Sequence, residues 1–104
     1  MTQDPNVLKT IGGKFLLFNL RHIVDAPDLV EVREVIGTQA TVLEVSVEPG
    51  DIRRIIGRQG RTAEALRELL IAIGGKEGRR YMLEILEPEN ISRGRRVEYQ
   101  TRRR

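Results

Sequence analysis

Two glycines three residues apart, Gly57 and Gly60, interrupt a run of aliphatic residues that otherwise has helical spacing. Before them, three isoleucines fall at i, i+3 and i+4 on one face of a short helix: Ile52, Ile55 and Ile56. After them, the apolar residues of a longer amphipathic helix share one face: Ala63, Leu66, Leu69, Leu70 and Ile73. The pattern predicts two helices joined by the loop Gly57-Arg58-Gln59-Gly60, and both helices need a further layer on which to bury their apolar faces.

Alternating apolar and polar residues on both sides of this unit supply that layer. Residues 29–36 and 40–48 form two such runs around a Gly37-Thr38-Gln39 break, and residues 81–86 form a third. In the second run Glu44, Ser46 and Glu48 share the face opposite the apolar residues, so one face of the sheet is expected to be solvated. A first helix, predicted to begin near Lys14 and to stop before Pro27, completes the set.

The order helix, strand, strand, helix, helix, strand predicts an α+β fold in which three helices cover one face of a three-stranded sheet. Residues 1–13, ending in Gly12-Gly13, are expected to form a flexible lead-in, residues 14–87 the folded domain, and residues 88–104 a basic, disordered tail. Gly74-Gly75 is expected to end the last helix, and Asp51 to cap the short one. The sequence Ile-Gly-Gly-Lys occurs twice, at residues 11–14 and 73–76, in flanking contexts that differ.

The composition argues against several classes of protein. With no cysteine there is no disulfide, thiolate nucleophile or zinc-finger ligand set, and the only histidine, His22, is better explained as a helix residue than as a general base. No apolar run approaches the length of a membrane span, and the first residues lack the pattern of a secretory signal. We therefore expect a cytoplasmic protein that is not an enzyme and has no metal ion or other cofactor.

The positive charge is concentrated in two places, although the net charge of the 104 residues is only +3. Residues 51–61 contain four arginines and one acid, and the tail carries six arginines. Such clusters favour a polyanionic partner.

The two-glycine loop suits a sugar-phosphate chain. Glycine lets the backbone of a ligand approach closely, and the helix that begins after Gly60 directs its free N–H groups and positive dipole end at bound phosphates. Arg58 adds a charge and Gln59 a hydrogen-bond donor. The predicted nucleic-acid-binding residues are Gly57, Arg58, Gln59, Gly60, Arg61, Arg54 and Ile56, with auxiliary contacts from Arg53, Arg95, Arg96 and Arg102. The structural alternative, that Gly57 only ends a helix and Gly60 only forms a tight turn, explains the flanking arginines less well.

Bases would have to be held without a stacking platform, because the chain has only four aromatic residues. An aliphatic groove is the alternative, and its candidate residues are Ile52, Ile55, Ile56, Leu66, and Val42 or Val45. Packing between helix and sheet accounts better for most of them.

The stretches Val32–Val35, Ile56–Ala63 and Leu83–Leu86 resemble the KH family, and within it the small bacterial single-KH proteins of the KhpA (YlqC-like) type. The resemblance implies a type II KH fold whose Gly-x-x-Gly loop clamps the backbone of single-stranded RNA. It also implies a chaperone-like role, self-association as a homodimer, and a heteromer with a KhpB-type multidomain partner that acts in cell-shape and cell-wall control. The arginine-rich tail departs from that family's usual end. A protein-interaction or dimerisation module and a single-stranded DNA binder remain alternatives.

Overall fold

The computed structural model describes residues 3–87, in which three helices pack on one face of a three-stranded sheet. The helices are α1 (Ile11–Arg21), α2 (Ile52–Ile56) and α3 (Arg61–Glu77), and the strands are β1 (Glu31–Ile36), β2 (Thr41–Ser46) and β3 (Tyr81–Ile85). The predicted α+β architecture and its order of elements are confirmed. The predicted tail, residues 88–104, lies outside the described residues.

The sheet has the order β1-β2-β3, with β1 antiparallel and β3 parallel to β2. Val45 lies opposite Val32 on one side and Ile85 on the other, and Leu43 lies opposite Leu83, so these side chains share the face that the helices cover. The helices bury their own apolar residues against that face: Leu16, Leu17, Leu20, Ile55, Ala63, Leu66 and Leu70. The core is therefore one layer between the helices and the sheet.

Two predicted surface assignments are wrong. Glu44, expected to be solvated, is only 3% exposed and pairs with Arg33 at 3.4 Å between Oε1 and Nη1. Leu69, expected to be buried, is 51% exposed. It lies about 100° around α3 from the buried Leu70, which places it beyond the edge of the core-facing stripe.

The first helix begins earlier than the sequence pattern predicts. It starts at Ile11 rather than near Lys14, and Thr10 caps it, since the Thr10 Oγ1 atom accepts a hydrogen bond from the Gly13 N–H at 2.8 Å. Leu8 and Thr10 are both buried against the domain. The predicted start is wrong because Gly12-Gly13 was interpreted as a break, whereas a threonine before the helix is itself a capping signal.

The end of α3 was also misplaced, because Gly74-Gly75 lies inside the helix. The helix continues to Glu77 and ends at Gly78, whose φ of 77° is left-handed and whose N–H bonds the Gly74 carbonyl at 2.8 Å. A β-carbon on Gly74 would lie 2.1 Å from the Arg79 carbonyl oxygen. Gly74 is therefore a contact point between α3 and the chain that returns to β3.

Tyr81 joins the start of α1 to the end of α3. Its ring fills the space beside Gly12, where a β-carbon would come within 2.7 Å of three ring carbons, and its Oη accepts the Gly12 N–H at 2.9 Å. The hydroxyl donates in turn to Glu77. The other Glu77 oxygen accepts from the Ile11 N–H at 3.4 Å and from the Arg79 Nε at 3.2 Å. Gly74 also contacts this ring, so the first glycine of each Ile-Gly-Gly-Lys segment packs on Tyr81.

Glu34 on β1 holds the segment that enters α1. Its carboxylate accepts hydrogen bonds from the Lys9 N–H at 2.8 Å, the Thr10 N–H at 2.7 Å and the Thr10 hydroxyl at 2.6 Å. Burial acts to raise the pKa of Glu34, but the hydrogen bonds from Thr10 and Lys9 outweigh burial and hold that pKa below its ordinary value. The ionised carboxylate is thus part of the fold.

The adjacent glycines of α3 give a direct test of this packing. We expect Gly74→Ala to lower the free energy of unfolding by about 1 to 3 kcal/mol, because the methyl group must displace backbone. Gly75→Ala is the matched control and should raise it by about 0.5 to 1 kcal/mol, since nothing lies within 4 Å and alanine favours a helix. Urea denaturation of both variants measures the difference, and equal effects would contradict the role of Gly74.

The Glu34 carboxylate predicts an acid-sensitive contribution to stability. Because its pKa is lower folded than unfolded, it stabilises the fold above the unfolded pKa of about 4.3, and this contribution is lost as the pH falls through the folded pKa. Glu34→Gln should therefore flatten the pH dependence of the free energy of unfolding between about pH 6 and about pH 3. The control is Glu68→Gln at an exposed position of α3. A Glu34→Gln curve that stays parallel to the wild type would contradict the assignment.

Candidate nucleic-acid interface

The loop between α2 and α3 has an unusual backbone. Gly57 has φ 81° and ψ 173°, Gln59 has φ 56° and ψ 27°, and Gly60 has φ 76° and ψ 13°. Gln59 is the one residue other than glycine with a positive φ within residues 3–87. The angles of Gly57 are open essentially to glycine alone, so the predicted end of α2 at this residue is confirmed.

The loop packs closely against the first turn of α3. A β-carbon on Gly57 would lie 2.2 Å from the Thr62 Oγ1 and 2.7 Å from the Thr62 backbone nitrogen. The Gly57 N–H bonds the Arg53 carbonyl at 2.8 Å, and the Gly60 N–H bonds the Gly57 carbonyl at 3.1 Å. Thr62 is therefore a neighbour that the sequence reasoning did not select as a site residue, because only the folded loop brings it to Gly57.

Three arginines around the loop are available to a ligand. The side chains of Arg53, Arg58 and Arg61 are exposed, and no ion pair or side-chain hydrogen bond within residues 3–87 engages them. Gln59 is exposed as well, and no side chain caps the N-terminus of α3. The surface therefore combines three guanidinium groups with a helix N-terminus, an arrangement that can bind phosphates.

Arg54 differs from the other three, because carboxylates already engage it. Its Nη2 lies 3.0 Å from the Asp25 Oδ2, and its Nε lies 3.5 Å from the Asp51 Oδ1. Asp51 is 2% exposed, and its two oxygens accept the backbone N–H groups of Asp25 and Ala26, each at 3.0 Å. Asp51 occupies the predicted N-cap position of α2, but its side chain makes no cap hydrogen bond to that helix. It ties α2 to the connection that follows α1.

The predicted aliphatic groove is only partly present beside the loop. Ile55, Leu66 and Val45 are 1%, 6% and 1% exposed, so they belong to the core. Val42 lies on the other face of the sheet, because it is the strand neighbour of the core residue Leu43. Ile52 and Ile56 are half-buried and pack against the edge of the core.

Other predicted features fall outside this surface or outside the described chain. Arg95, Arg96 and Arg102 lie beyond residue 87 and are not described. Between Gln3 and Glu87, no cluster of three or more histidine or acidic side chains could hold a metal ion. Over the same range no helix is long and apolar enough to cross a membrane. His22 bonds the Phe18 carbonyl through Nδ1 at 2.8 Å and packs on the Phe18 ring.

Replacing each loop glycine with alanine should lower the free energy of unfolding by a different amount. Gly57→Ala forces alanine into angles that cost about 1 to 3 kcal/mol and also presses it on Thr62, so we expect it to be the more destabilising of the two. Gly60→Ala should cost about 1 to 2 kcal/mol from the left-handed backbone alone, because nothing lies within 4 Å of the added carbon. Urea denaturation ranks them, and the reverse order would contradict the packing of Thr62 against Gly57.

Comparison with known proteins agrees with this geometry. The family model described as KhpA/KhpB, KH domain, matches residues 13–85. RNA-binding protein KhpA of Chlamydia trachomatis is 39% identical over 74 residues, covering 71% of this chain and 95% of the relative. Its namesake in Aquifex aeolicus is 48% identical over 67 residues, covering 64% and 85%, and that of Borreliella burgdorferi is 43% identical over 82 residues, covering 77% and 100%. The solved structures gave no match. With a Gly-x-x-Gly loop between two helices and a family match over most of its length, the chain belongs to the KhpA/KhpB family of KH domains.

Proposed function

We propose that this protein binds single-stranded RNA and that the Gly57–Gly60 loop holds the RNA backbone. The observation that carries the proposal is a two-glycine loop beside which Arg53, Arg58 and Arg61 have no partner among the described residues. The family relatives named RNA-binding protein KhpA support it. The protein acts as a binding module rather than as an enzyme.

Phosphates bind where Gly60 leaves the loop backbone uncovered. Gly60 has open space where a side chain would stand, so a sugar-phosphate chain can approach the first turn of α3 closely. Arg58 and Arg61 then supply charge on either side of that point. Arg54 joins them only by exchanging its contact with Asp25, which is 74% exposed, for one with a phosphate. An ion pair this exposed costs little to break.

Base recognition is weak in this proposal. Ile52 and Ile56 on α2, the helix that leads into the loop, are only half-buried, and neither side chain has a polar group to offer to a base edge. Backbone contacts carry no sequence information, so the protein binds many RNA sequences. Broad, modest binding of this kind suits a chaperone-like role in the cytoplasm that affects gene expression and, through it, cell shape and cell-wall formation.

A protein partner belongs to the same proposal, because the helices expose large apolar side chains. Phe18 on α1 and Ile71 on α3 are each 64% exposed, and Leu69 is 51% exposed. Apolar side chains exposed to this extent can be covered by a second protein chain. We propose that they serve self-association or pairing with a KhpB-type KH protein, so that one domain binds both RNA and a protein partner.

Reversing the loop's charge tests the RNA site. We expect Arg58→Asp with Gln59→Asp to weaken RNA binding by at least about tenfold, because two donors become charges of the phosphates' own sign. The melting temperature should hardly change, since both side chains are exposed. The measurement is fluorescence anisotropy with a single-stranded RNA and a DNA of the same sequence, each at a fixed salt concentration.

The matched control is Gln39→Asp with Arg80→Asp, which changes the same residue types at exposed positions outside the loop. It should bind RNA nearly as well as the wild type. Equal losses in both variants would mean that net charge alone governs binding and would remove the loop from the site. Equal or tighter binding of DNA would favour the single-stranded DNA alternative, since the 2'-hydroxyl would then contribute nothing.

A further inference from the structure

An open groove of about 650 Å³ lies between the segment before α1 and the sheet, and none of its lining residues belongs to α2, α3 or the loop. Its outer wall is fixed in place. The Gln3 side chain pairs with the outer edge of β1, donating from Nε2 to the Val32 carbonyl at 2.9 Å and accepting the Val32 N–H through Oε1 at 2.8 Å. We call this feature the N-terminal groove.

The N-terminal groove is acidic. Four carboxylates line it, those of Asp4, Glu31, Glu34 and Glu44, against the single guanidinium of Arg33. The hydrogen bonds that lower the pKa of Glu34 keep that carboxylate ionised at neutral pH. Asp4 and Glu31 are exposed. The charge of this lining repels a nucleic acid and attracts a basic peptide.

The chain itself supplies a basic peptide at one end of this groove. Leu86 lines the groove, and its N–H is fixed to the Val45 carbonyl at 2.8 Å. Residues 88–104 follow after a single further residue and hold six arginines and two glutamates. A segment of opposite charge is therefore tethered directly at the acidic lining, at the high effective concentration that a short tether gives.

The groove also offers apolar surface to match the few apolar residues of that segment. Val7 is 65% exposed on the groove wall, and Leu86 lines its end. Residues 88–104 contain Ile91, Val97 and Tyr99 between the arginines. The acidic and apolar lining is therefore suited to a peptide that has both basic and apolar side chains.

We propose that residues 88–104 dock in the N-terminal groove of their own domain. The arginines are then neutralised on a surface separate from the Gly57–Gly60 loop, and a polyanion must compete with the groove carboxylates to reach them. This inference does not depend on the loop being the RNA site.

A spin label on the full chain tests the docking, and the absence of cysteine makes single labelling clean. A nitroxide attached to Gln100→Cys should broaden the backbone amide signals of Glu31, Arg33 and Ser46 in the NMR spectrum at low salt. Glu31→Gln in the labelled protein should reduce that broadening, as should Arg95→Gln with Arg96→Gln, because each removes part of the charge attraction. Glu68→Gln, the same change at an exposed site on α3, is the control and should leave the broadening unchanged.

The remaining outcomes would overturn the proposal. Broadening that is absent at low salt, or that is strongest on α3 or the loop, would mean that the segment does not occupy this groove. A mixed sample shows whether the docked segment comes from the same chain or from a second copy. One protein in the mixture carries the isotope label without nitroxide, and the other carries the nitroxide without isotope label. Full broadening in that mixture would show that a second copy, and not the same chain, fills the groove.

Discussion

The parallel pairing of β2 with β3 is the constraint on which the rest of the fold depends. Two parallel strands cannot be joined by a tight turn, so the chain must travel back from the end of β2 to the start of β3 before the strands can pair. Residues 47–80 make this return, and they do so as two helices that cover the sheet. The Gly57–Gly60 loop is the corner of that crossover. Its unfavourable backbone angles persist because packing fixes the helix on each side of it.

The positive charge that residues 51–61 can offer to a ligand depends on which arginines form ion pairs more than on how many arginines there are. Four arginines occur in this stretch, yet Arg54 is engaged by Asp25 and Asp51 while Arg53, Arg58 and Arg61 are not engaged within the described chain. Asp51 contributes twice, because it also holds the connection after α1 through two backbone N–H groups. The same ion pairs that reduce the positive charge of α2 therefore fix the orientation of the helix that presents the loop.

Local periodicity was enough to predict the three α-helices and three strands of residues 3–87, the α+β architecture and the position of the two-glycine loop, although not the four short 3-10 helices of the connections. The errors concern residues whose roles depend on distant parts of the chain. Gly12 and Gly74 looked like helix breaks, but each lies inside a helix. Each position needs glycine because a neighbouring element approaches too closely for a β-carbon. Asp51 looked like a cap because its partners, 25 and 26 residues away, cannot be inferred from spacing. Val42 was grouped with the groove although its strand position turns it to the other face.

The hydrogen bonds of Tyr81 to α1 and α3 are expected to affect the rate of unfolding. Its bond to Gly12 links residues 69 apart in the chain, so it can form only after almost the whole domain has been brought together. Closing so long a loop is entropically costly, and contacts of this kind tend to be absent from the transition state for folding. Interactions that form after the transition state control how fast a protein unfolds rather than how fast it folds. The junction of α1, α3 and β3 at Tyr81 is therefore expected to act as a latch that sets the lifetime of the native state.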